Sequence, residues 1–254
     1  MRIGLLINDS ISLFRLNSLK PILADKSFSI ELAVMDDALK KTVFQKLKKH
    51  LKRRRGGYII VMALQNFFGD KEVFQSTEEF CMLNSIALIK TKKLYSIETI
   101  NAIRSYNLDV LLLIGGFGII KDPLLSIAPN GILSYHHGDM RKYRGMAPGF
   151  WELYNNEEEM GVTVQILAAG LDNGIPIVEK KIKIRKNDSF KTLQKRAYDE
   201  SFNMMYESLQ NLSNKDFVPE KIETFGKIYT LPNLRQWIML NIKILWRKLK
   251  FIIS

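Results

Sequence analysis

Five short apolar segments recur along this chain and constrain its fold more than any other feature. The most apolar is Asp109–Ile114 (DVLLLI), and the others are Arg2–Asn8, Ser29–Met35, Ser85–Lys90 and Gly131–Tyr135. Apolar runs that do not alternate with polar residues are typical of strands buried on both faces of a parallel sheet. The chain is therefore predicted to form a doubly wound, mostly parallel α/β sheet.

Amphipathic segments between these runs are predicted to be helices that begin at polar capping residues. The predicted helices are one capped by Asp9 or Ser10 and reaching Asp25, Ile97–Tyr106 capped by Ser96, Pro148–Tyr154, and a long helix from Asp188 or Ser189 to about Leu212. Two further strands, Gly161–Leu167 and Ile175–Ile184, alternate between apolar and polar residues.

The charge of the chain is strongly basic, at +12 over 254 residues, with 46% hydrophobic residues. Leu39–Arg55 carries nine Lys and Arg residues around one apolar stripe. This pattern predicts a helix with a solvated face, and a surface that binds phosphate or anionic lipid is the alternative. The single cysteine, Cys81, fits a reducing compartment, and no segment resembles a signal peptide, so a cytoplasmic location is expected.

A glycine-containing segment, Gly115–Gly118, directly follows the most apolar run. Glycines at the carboxyl end of a central parallel strand let a ligand approach the backbone, or simply allow a tight turn. The chain has no Gly-x-Gly-x-x-Gly sequence after a strand, so a nicotinamide or flavin dinucleotide is not expected.

Two features suggest acid-base chemistry. His136 and His137 come directly after the apolar run Gly131–Tyr135, and Asp172 lies in a turn between two alternating strands. An imidazole with a carboxylate beside it suits proton transfer near neutral pH. Asp139 offers no metal site, because no third ligand follows at suitable spacing.

The segments around these residues resemble the folate-dependent formyltransferases, which act on glycinamide ribonucleotide, methionyl-tRNA or amino sugars. The matching residues are Ser134-Tyr135-His136, Lys142-Tyr143-Arg144-Gly145, Gly161-Val162-Thr163-Val164-Gln165 and Asp172-Asn173-Gly174. One residue departs from the family pattern, since Ser134 occupies the position of a catalytic Asn. The resemblance implies a Rossmann-like fold and 10-formyltetrahydrofolate as formyl donor.

The resemblance also implies roles for particular residues. His136 is the expected acid/base, Asp172 orients it, and Ser134 stands where the family has a donor to the developing oxyanion. The folate is expected against two loops, formed by Phe117, Gly118, Ile119, Ile120 and Lys121 and by Ala168, Ala169, Gly170 and Leu171.

Other residues are candidates for binding the amine substrate, with a structural role as the alternative. They are Asn8, Asp9 and Ser10, where relatives have a phosphate loop, and Lys142 and Arg144. His137 is absent from the family pattern. It is expected to be structural, because consecutive strand residues point to opposite faces. The alternative is that it supplies the hydrogen-bond donor that the family's Asn would provide.

The last forty residues differ from the rest. Residues 1–213 are predicted to form the formyltransferase-like domain, and 214–254 a linker and a basic amphipathic helix from Trp237 to Ser254. The helix is expected to dock on the domain, to pair in a homodimer, or to lie on a membrane surface.

The function that this resemblance implies is formyl transfer to a primary amine, with a nucleotide- or lipid-linked amino sugar for a surface polysaccharide as the expected acceptor. Methionyl-tRNA is disfavoured, because about forty terminal residues are too few for the barrel domain of that branch. One rival is a non-catalytic member that binds folate or a glycan precursor, suggested by Ser134. Another is a basic module that binds nucleic acid.

Overall fold

The computed structural model describes residues 1–37 and 74–253. The predicted basic helix Leu39–Arg55 lies outside the described residues.

The described residues form strands and helices at most of the predicted places. The strands are β1 (Arg2–Ile7), β2 (Ser10–Ser12), β3 (Ser29–Asp36), β4 (Phe74–Ser76), β5 (Ala87–Thr91), β6 (Val110–Leu113), β7 (Ile132–His136), β8 (Tyr143–Gly145), β9 (Glu159–Ile166), β10 (Ile175–Lys183) and β11 (Lys227–Tyr229). The helices are α1 (Leu13–Ala24), α2 (Thr77–Leu83), α3 (Ile97–Arg104), α4 (Phe150–Tyr154), α5 (Phe190–Ser201), α6 (Met204–Ser213) and α7 (Leu234–Ile253).

Seven of these strands form a central sheet in the order β10-β9-β7-β6-β1-β3-β5. The five strands from β7 to β5 are parallel, and β9 and β10 run antiparallel at one edge. Hydrophobic clusters lie on both faces of the sheet, as expected when helices cover both sides. The predicted fold class, a doubly wound and mostly parallel sheet with a small C-terminal helix, is confirmed.

The start of α1 differs from the prediction. Its N-cap is Ser12, not Asp9 or Ser10, and the Ser12 side chain makes no capping hydrogen bond. The cause is tertiary, because Ser10–Ser12 pairs antiparallel with Phe74–Ser76 before the helix begins. By contrast, Ser96 and Ser189 cap α3 and α5 as predicted, each accepting a hydrogen bond from the backbone N–H three residues later.

The long helix predicted to reach Leu212 is divided into α5 and α6. The Tyr135 hydroxyl lies at the break, where it donates to the carbonyl oxygens of Ser201 and Phe202 and accepts from the N–H of Met205. The predicted helix from Pro148 is also shorter. It begins at Phe150, because Gly149 adopts a left-handed conformation with φ of 77°.

The C-terminal segment folds against the rest of the described chain. β11 pairs in parallel with β8, and Trp237 of α7 packs its ring against Phe150, with the centroids 4.8 Å apart. Within the described ranges, no helix combines the length and apolar character needed to cross a bilayer. The division into 1–213 and 214–254 stays a prediction.

Candidate active site

Strand β7 carries the candidate catalytic residues. His136 is its last residue, so it belongs to the strand and does not follow it as the sequence suggested. Because side chains alternate across a strand, Ser134 and His136 share one face, while Tyr135 and His137 share the other. The two adjacent histidines therefore meet different surroundings.

His136 and Asp172, far apart in sequence, are brought together. The Nδ1 atom of His136 lies 3.4 Å from Oδ1 of Asp172, and the side chains are 7% and 17% exposed. Water is thus largely excluded from the pair, which strengthens its electrostatic interaction. The predicted proximity of imidazole and carboxylate is present in the structure.

Asp172 is held in place from two sides. Its Oδ2 atom accepts a hydrogen bond from the N–H of Gly145 at 2.7 Å, and its Oδ1 atom lies 3.5 Å from Nε2 of Gln165. The backbone of Asp172 is left-handed, with φ of 44°, as an Asp in a turn tolerates. The carboxylate orientation therefore depends on the β8 backbone and on β9.

The other nitrogen of His136 fixes the ring's protonation pattern. Nε2 lies 2.8 Å from the carbonyl oxygen of Tyr143, which can only accept, so Nε2 carries a hydrogen. Nδ1 then complements the Asp172 carboxylate only when it is protonated too. A proton can consequently be taken up or released at Nδ1, next to Asp172.

Gly138 allows this close fit around the ring. A Cβ atom at position 138 would lie 2.6 Å from Nε2 of His136 and 2.8 Å from the Tyr143 carbonyl oxygen. Any side chain at this position would therefore disturb the hydrogen bond that orients the imidazole.

Ser134 is buried, with 8% of its surface exposed, and its hydroxyl donates weakly to the Tyr135 carbonyl at 3.4 Å. It pairs with Gln165 on β9, the residue that contacts Asp172. Its position next to the His136–Asp172 pair is consistent with the predicted role, which stays a prediction.

His137 is surrounded by aromatic rings. It contacts Phe14, Tyr135 and Tyr198, with ring centroids 4.7–5.6 Å apart, and its Nε2 atom is buried without a hydrogen-bond partner. Burial lowers the pKa of His137 to about 3, with the nearby Arg15 guanidinium adding to the effect. A neutral ring in an aromatic cluster fits the structural role expected for this residue.

The two predicted folate loops leave the sheet from β6 and β9, the strands on either side of β7. Ile119 and Leu171 are 53% and 39% exposed, while Phe117 and Ile120 are buried. The N–H of Lys121 donates to the Tyr95 hydroxyl at 3.2 Å. Of these apolar side chains, Ile119 and Leu171 are thus the ones available to a ligand.

The predicted substrate residues after β1 make intramolecular contacts. Oδ1 of Asn8 accepts from the N–H of Gly116 at 3.2 Å, and the backbone carbonyls of Asn8 and Asp9 accept from Thr77. Ser10 is part of β2. Asn8 therefore ties the first loop to the glycine loop that follows β6.

Lys142 and Arg144 are also engaged within the protein. Lys142 forms an ion pair with Glu157 at 3.1 Å, while the guanidinium of Arg144 donates to Gly226, Leu171 and Asn173. These contacts favour the structural alternative for both residues. Arg144 links the β8 segment to the loop that carries Asp172.

Sequence reasoning missed Glu152, which lies beside this site on α4. Its side chain is 2% exposed and faces a cavity of about 720 Å³. Thr163 also lines this cavity, whereas His136 is not among its lining residues. Burial raises the pKa of Glu152 to about 7, although backbone N–H groups act in the opposite direction. A glutamate is ordinarily expected at the surface, and the five residues of α4 are too few to show which side of the helix faces the interior.

Replacing Glu152 by glutamine is expected to stabilise the protein above neutral pH. The unfolded carboxyl loses its proton near pH 4.5 and the folded one only near 7, so the native state loses stability as the pH rises between these values. At about pH 8 the gain in unfolding free energy should approach 3 kcal/mol. Urea unfolding at acidic and alkaline pH measures it.

Glu158→Gln is the matched control, because Glu158 is exposed in the loop that follows α4. It should leave the pH dependence of unfolding unchanged. An equal response of both variants would contradict the assigned ionisation of Glu152.

Comparison with known proteins points to the same family as the sequence motifs do. Residues 41–209 match the family model described as formyl transferase. The methionyl-tRNA formyltransferase of Thermosynechococcus vestitus is 31% identical over 118 residues, which cover 46% of this chain and 36% of that protein. The matched regions span between about a third and half of such curated relatives.

Solved structures share the fold at low sequence identity. A sugar N-formyltransferase from a Shewanella species has a TM-score of 0.61 at 13% identity, covering 96% of this chain and 88% of its own. An N-formyltransferase from Helicobacter canadensis, solved with folinic acid and dTDP-3-aminofucose, has a TM-score of 0.57 at 16% identity and covers 90% and 70%.

Proposed function

Because the chain belongs to the formyl transferase family, we propose that it transfers a formyl group from 10-formyltetrahydrofolate to a primary amine. The observation that carries the proposal is the buried pair of His136 and Asp172, 3.4 Å apart. In the reaction the amine nitrogen bonds to the formyl carbon, the bond from that carbon to folate N10 breaks, and a proton passes from the amine to N10.

His136 is the residue suited to handle this proton. Its Nε2 atom is committed to the Tyr143 carbonyl, so Nδ1 exchanges the proton, and Asp172 stabilises the imidazolium that forms. Gly145 and Gln165 keep the carboxylate directed at the ring. Ser134, on the same strand face, is the proposed hydroxyl donor to the oxyanion, directly or through water.

The folate is proposed to bind between the loops that follow β6 and β9. Ile119 and Leu171 offer exposed apolar surface there, which suits the flat ring system of a pterin. β6 and β9 are the neighbours of β7 in the sheet. Asp172, in the loop that follows β9, contacts His136, which supports a formyl group bound close to His136.

The acceptor is proposed to be an amino sugar linked to a nucleotide or lipid and destined for a surface polysaccharide. The sugar N-formyltransferase from Shewanella aligns with nearly the whole of both chains, which supports this choice. A net charge of +12 suits a phosphorylated acceptor. We place the reaction in the cytoplasm, at the inner face of the membrane.

Incubation with 10-formyltetrahydrofolate and a panel of nucleotide-linked amino sugars tests this function. Release of tetrahydrofolate is expected with at least one amino sugar, and none with the matching sugars that carry hydroxyl in place of amine. The Ser134→Asn variant should retain transfer with the same acceptor, because both side chains donate a hydrogen bond.

Two outcomes would contradict the proposal. Tight binding of folate without turnover, together with transfer gained only in Ser134→Asn, would identify a non-catalytic member. Transfer to methionyl-tRNA but to no amino sugar would retain the chemistry and overturn the acceptor.

A further inference from the structure

The C-terminal helix α7 has apolar side chains on two opposite sides. On one side Trp237, Leu240 and Ile244 are buried against the protein. On the other side large apolar residues are exposed, at 38–63% of their surface: Leu234, Ile238, Met239, Ile242, Leu245, Trp246 and Leu249. A helix that only docks on its own domain needs just the first set.

The helix is fixed in this orientation by specific contacts. The ring of Trp237 packs against Phe150 and Phe190, with centroids 4.8 and 5.0 Å apart. Lys243 donates to the carbonyl oxygen of Tyr154 at 2.6 Å, and Arg247 donates to that of Lys186 at 3.0 Å. Rotating the helix to bury its outer side would break all of these contacts. The exposed side is therefore a permanent part of the surface.

The residues of the exposed side are contiguous on the helix. Ile238, Ile242, Leu245 and Leu249 follow one another at intervals of three or four residues, with Trp246 beside them. A contiguous apolar surface of this kind marks an interaction site more often than isolated exposed residues do.

Charge indicates what covers this surface. The sequence of α7 has no Asp or Glu and five Lys or Arg residues. Lys243 and Arg247 contact the domain, whereas Arg235 is exposed and Lys248 is half-buried. A second copy of the chain would bring two helices of the same charge together, which is unfavourable. A surface of anionic lipid headgroups, by contrast, attracts the basic residues and accepts apolar side chains below the headgroups.

We propose that the exposed side of α7 binds the surface of an anionic bilayer, with Ile242, Leu245, Trp246 and Leu249 inserted at the headgroup boundary. The helix lies in the plane of the surface and holds the domain above it. This inference does not depend on formyl transfer, since it concerns a face remote in sequence from the catalytic pair.

Vesicle binding tests the proposal with the 254-residue chain and no substrate. The protein should sediment with vesicles of equal parts phosphatidylglycerol and phosphatidylcholine, much less with pure phosphatidylcholine, and less in high salt. The variant L245E/W246E should lower the bound fraction about ten-fold or more. Both residues are more than half exposed, so the fold should survive, and circular dichroism checks it.

A matched control is M82E/L83E, an adjacent pair on α2 that is 74% and 65% exposed. It should bind vesicles as the wild type does. Intrinsic fluorescence adds a direct readout, because Trp151 and Trp237 are buried and Trp246 is 63% exposed. The emission should shift to shorter wavelength on vesicle addition, and W246F should abolish the shift.

Two results would overturn the proposal. One is vesicle binding that is absent, or equal in wild type and L245E/W246E. The other is a wild-type dimer, seen by analytical ultracentrifugation, that L245E/W246E separates into monomers, because the occupant would then be a second copy.

Discussion

Replacing His136 by asparagine is expected to lower the rate of formyl transfer by a factor of about 10² to 10⁴, the usual contribution of a positioned acid or base. The substitution removes Nδ1, the ring nitrogen that faces Asp172. The other ring nitrogen, Nε2, is already hydrogen-bonded to the Tyr143 carbonyl. Single-turnover kinetics with the acceptor found in the panel measures the effect on the chemical step.

The neighbouring histidine supplies the control for this experiment. His137→Phe changes an imidazole one residue away on the opposite strand face, and it should keep the transfer rate within a few-fold of wild type. Asp172→Asn should lower the rate in the same direction as His136→Asn, and the double variant should be little worse than His136→Asn alone, because the pair acts as a unit. Full activity in His136→Asn would refute the proposed mechanism.

His137→Phe is expected to make the protein markedly more resistant to acid. The pKa of His137 falls from 6.5 to about 3 on folding, so below pH 6.5 the unfolded chain binds a proton that the native state refuses. Stability is therefore full above pH 6.5 and is lost as the pH falls toward 3. At about pH 5 this lowers the unfolding free energy of the wild type by about 2 kcal/mol, and a phenylalanine at position 137 removes this loss.

Urea unfolding at two pH values separates this effect from packing. Any change in packing caused by phenylalanine appears equally at about pH 7.5, where the imidazole is neutral in both states. The difference between the two pH values then reports ionisation alone. If wild type and variant lose the same stability on acidification, His137 does not titrate as its surroundings indicate.

The fold could be predicted largely from local patterns. The apolar runs of β1, β3, β6 and β7 are long enough and uninterrupted enough to identify buried parallel strands. The caps Ser96 and Ser189 are local as well, because their partners lie three residues away. The helix boundaries that were predicted wrongly depend on residues distant in sequence. Strand β4 displaced the start of α1, and the Tyr135 hydroxyl ends α5.

The candidate site also combines residues that the sequence identifies with contacts that depend on the fold. The sequence points to His136 and Asp172 through their positions, after an apolar run and in a turn, and through the family resemblance, and the structure brings them together. The backbone groups that orient them, the Tyr143 carbonyl and the Gly145 N–H, leave no trace in residue type. Glu152 was missed because its burial comes from the packing of α4 against distant elements.

The side chains of β7 alternate between two different environments, so the register of this strand determines which histidine faces Asp172. A slip of one residue in this strand would carry Ser134 and His136 into the aromatic cluster and deliver Tyr135 and His137 toward Asp172. A histidine would still face Asp172, but the Tyr135 hydroxyl would lose its hydrogen bonds to Ser201 and Met205. Insertions or deletions between Gly131 and His136 should therefore be tolerated far less well than substitutions there.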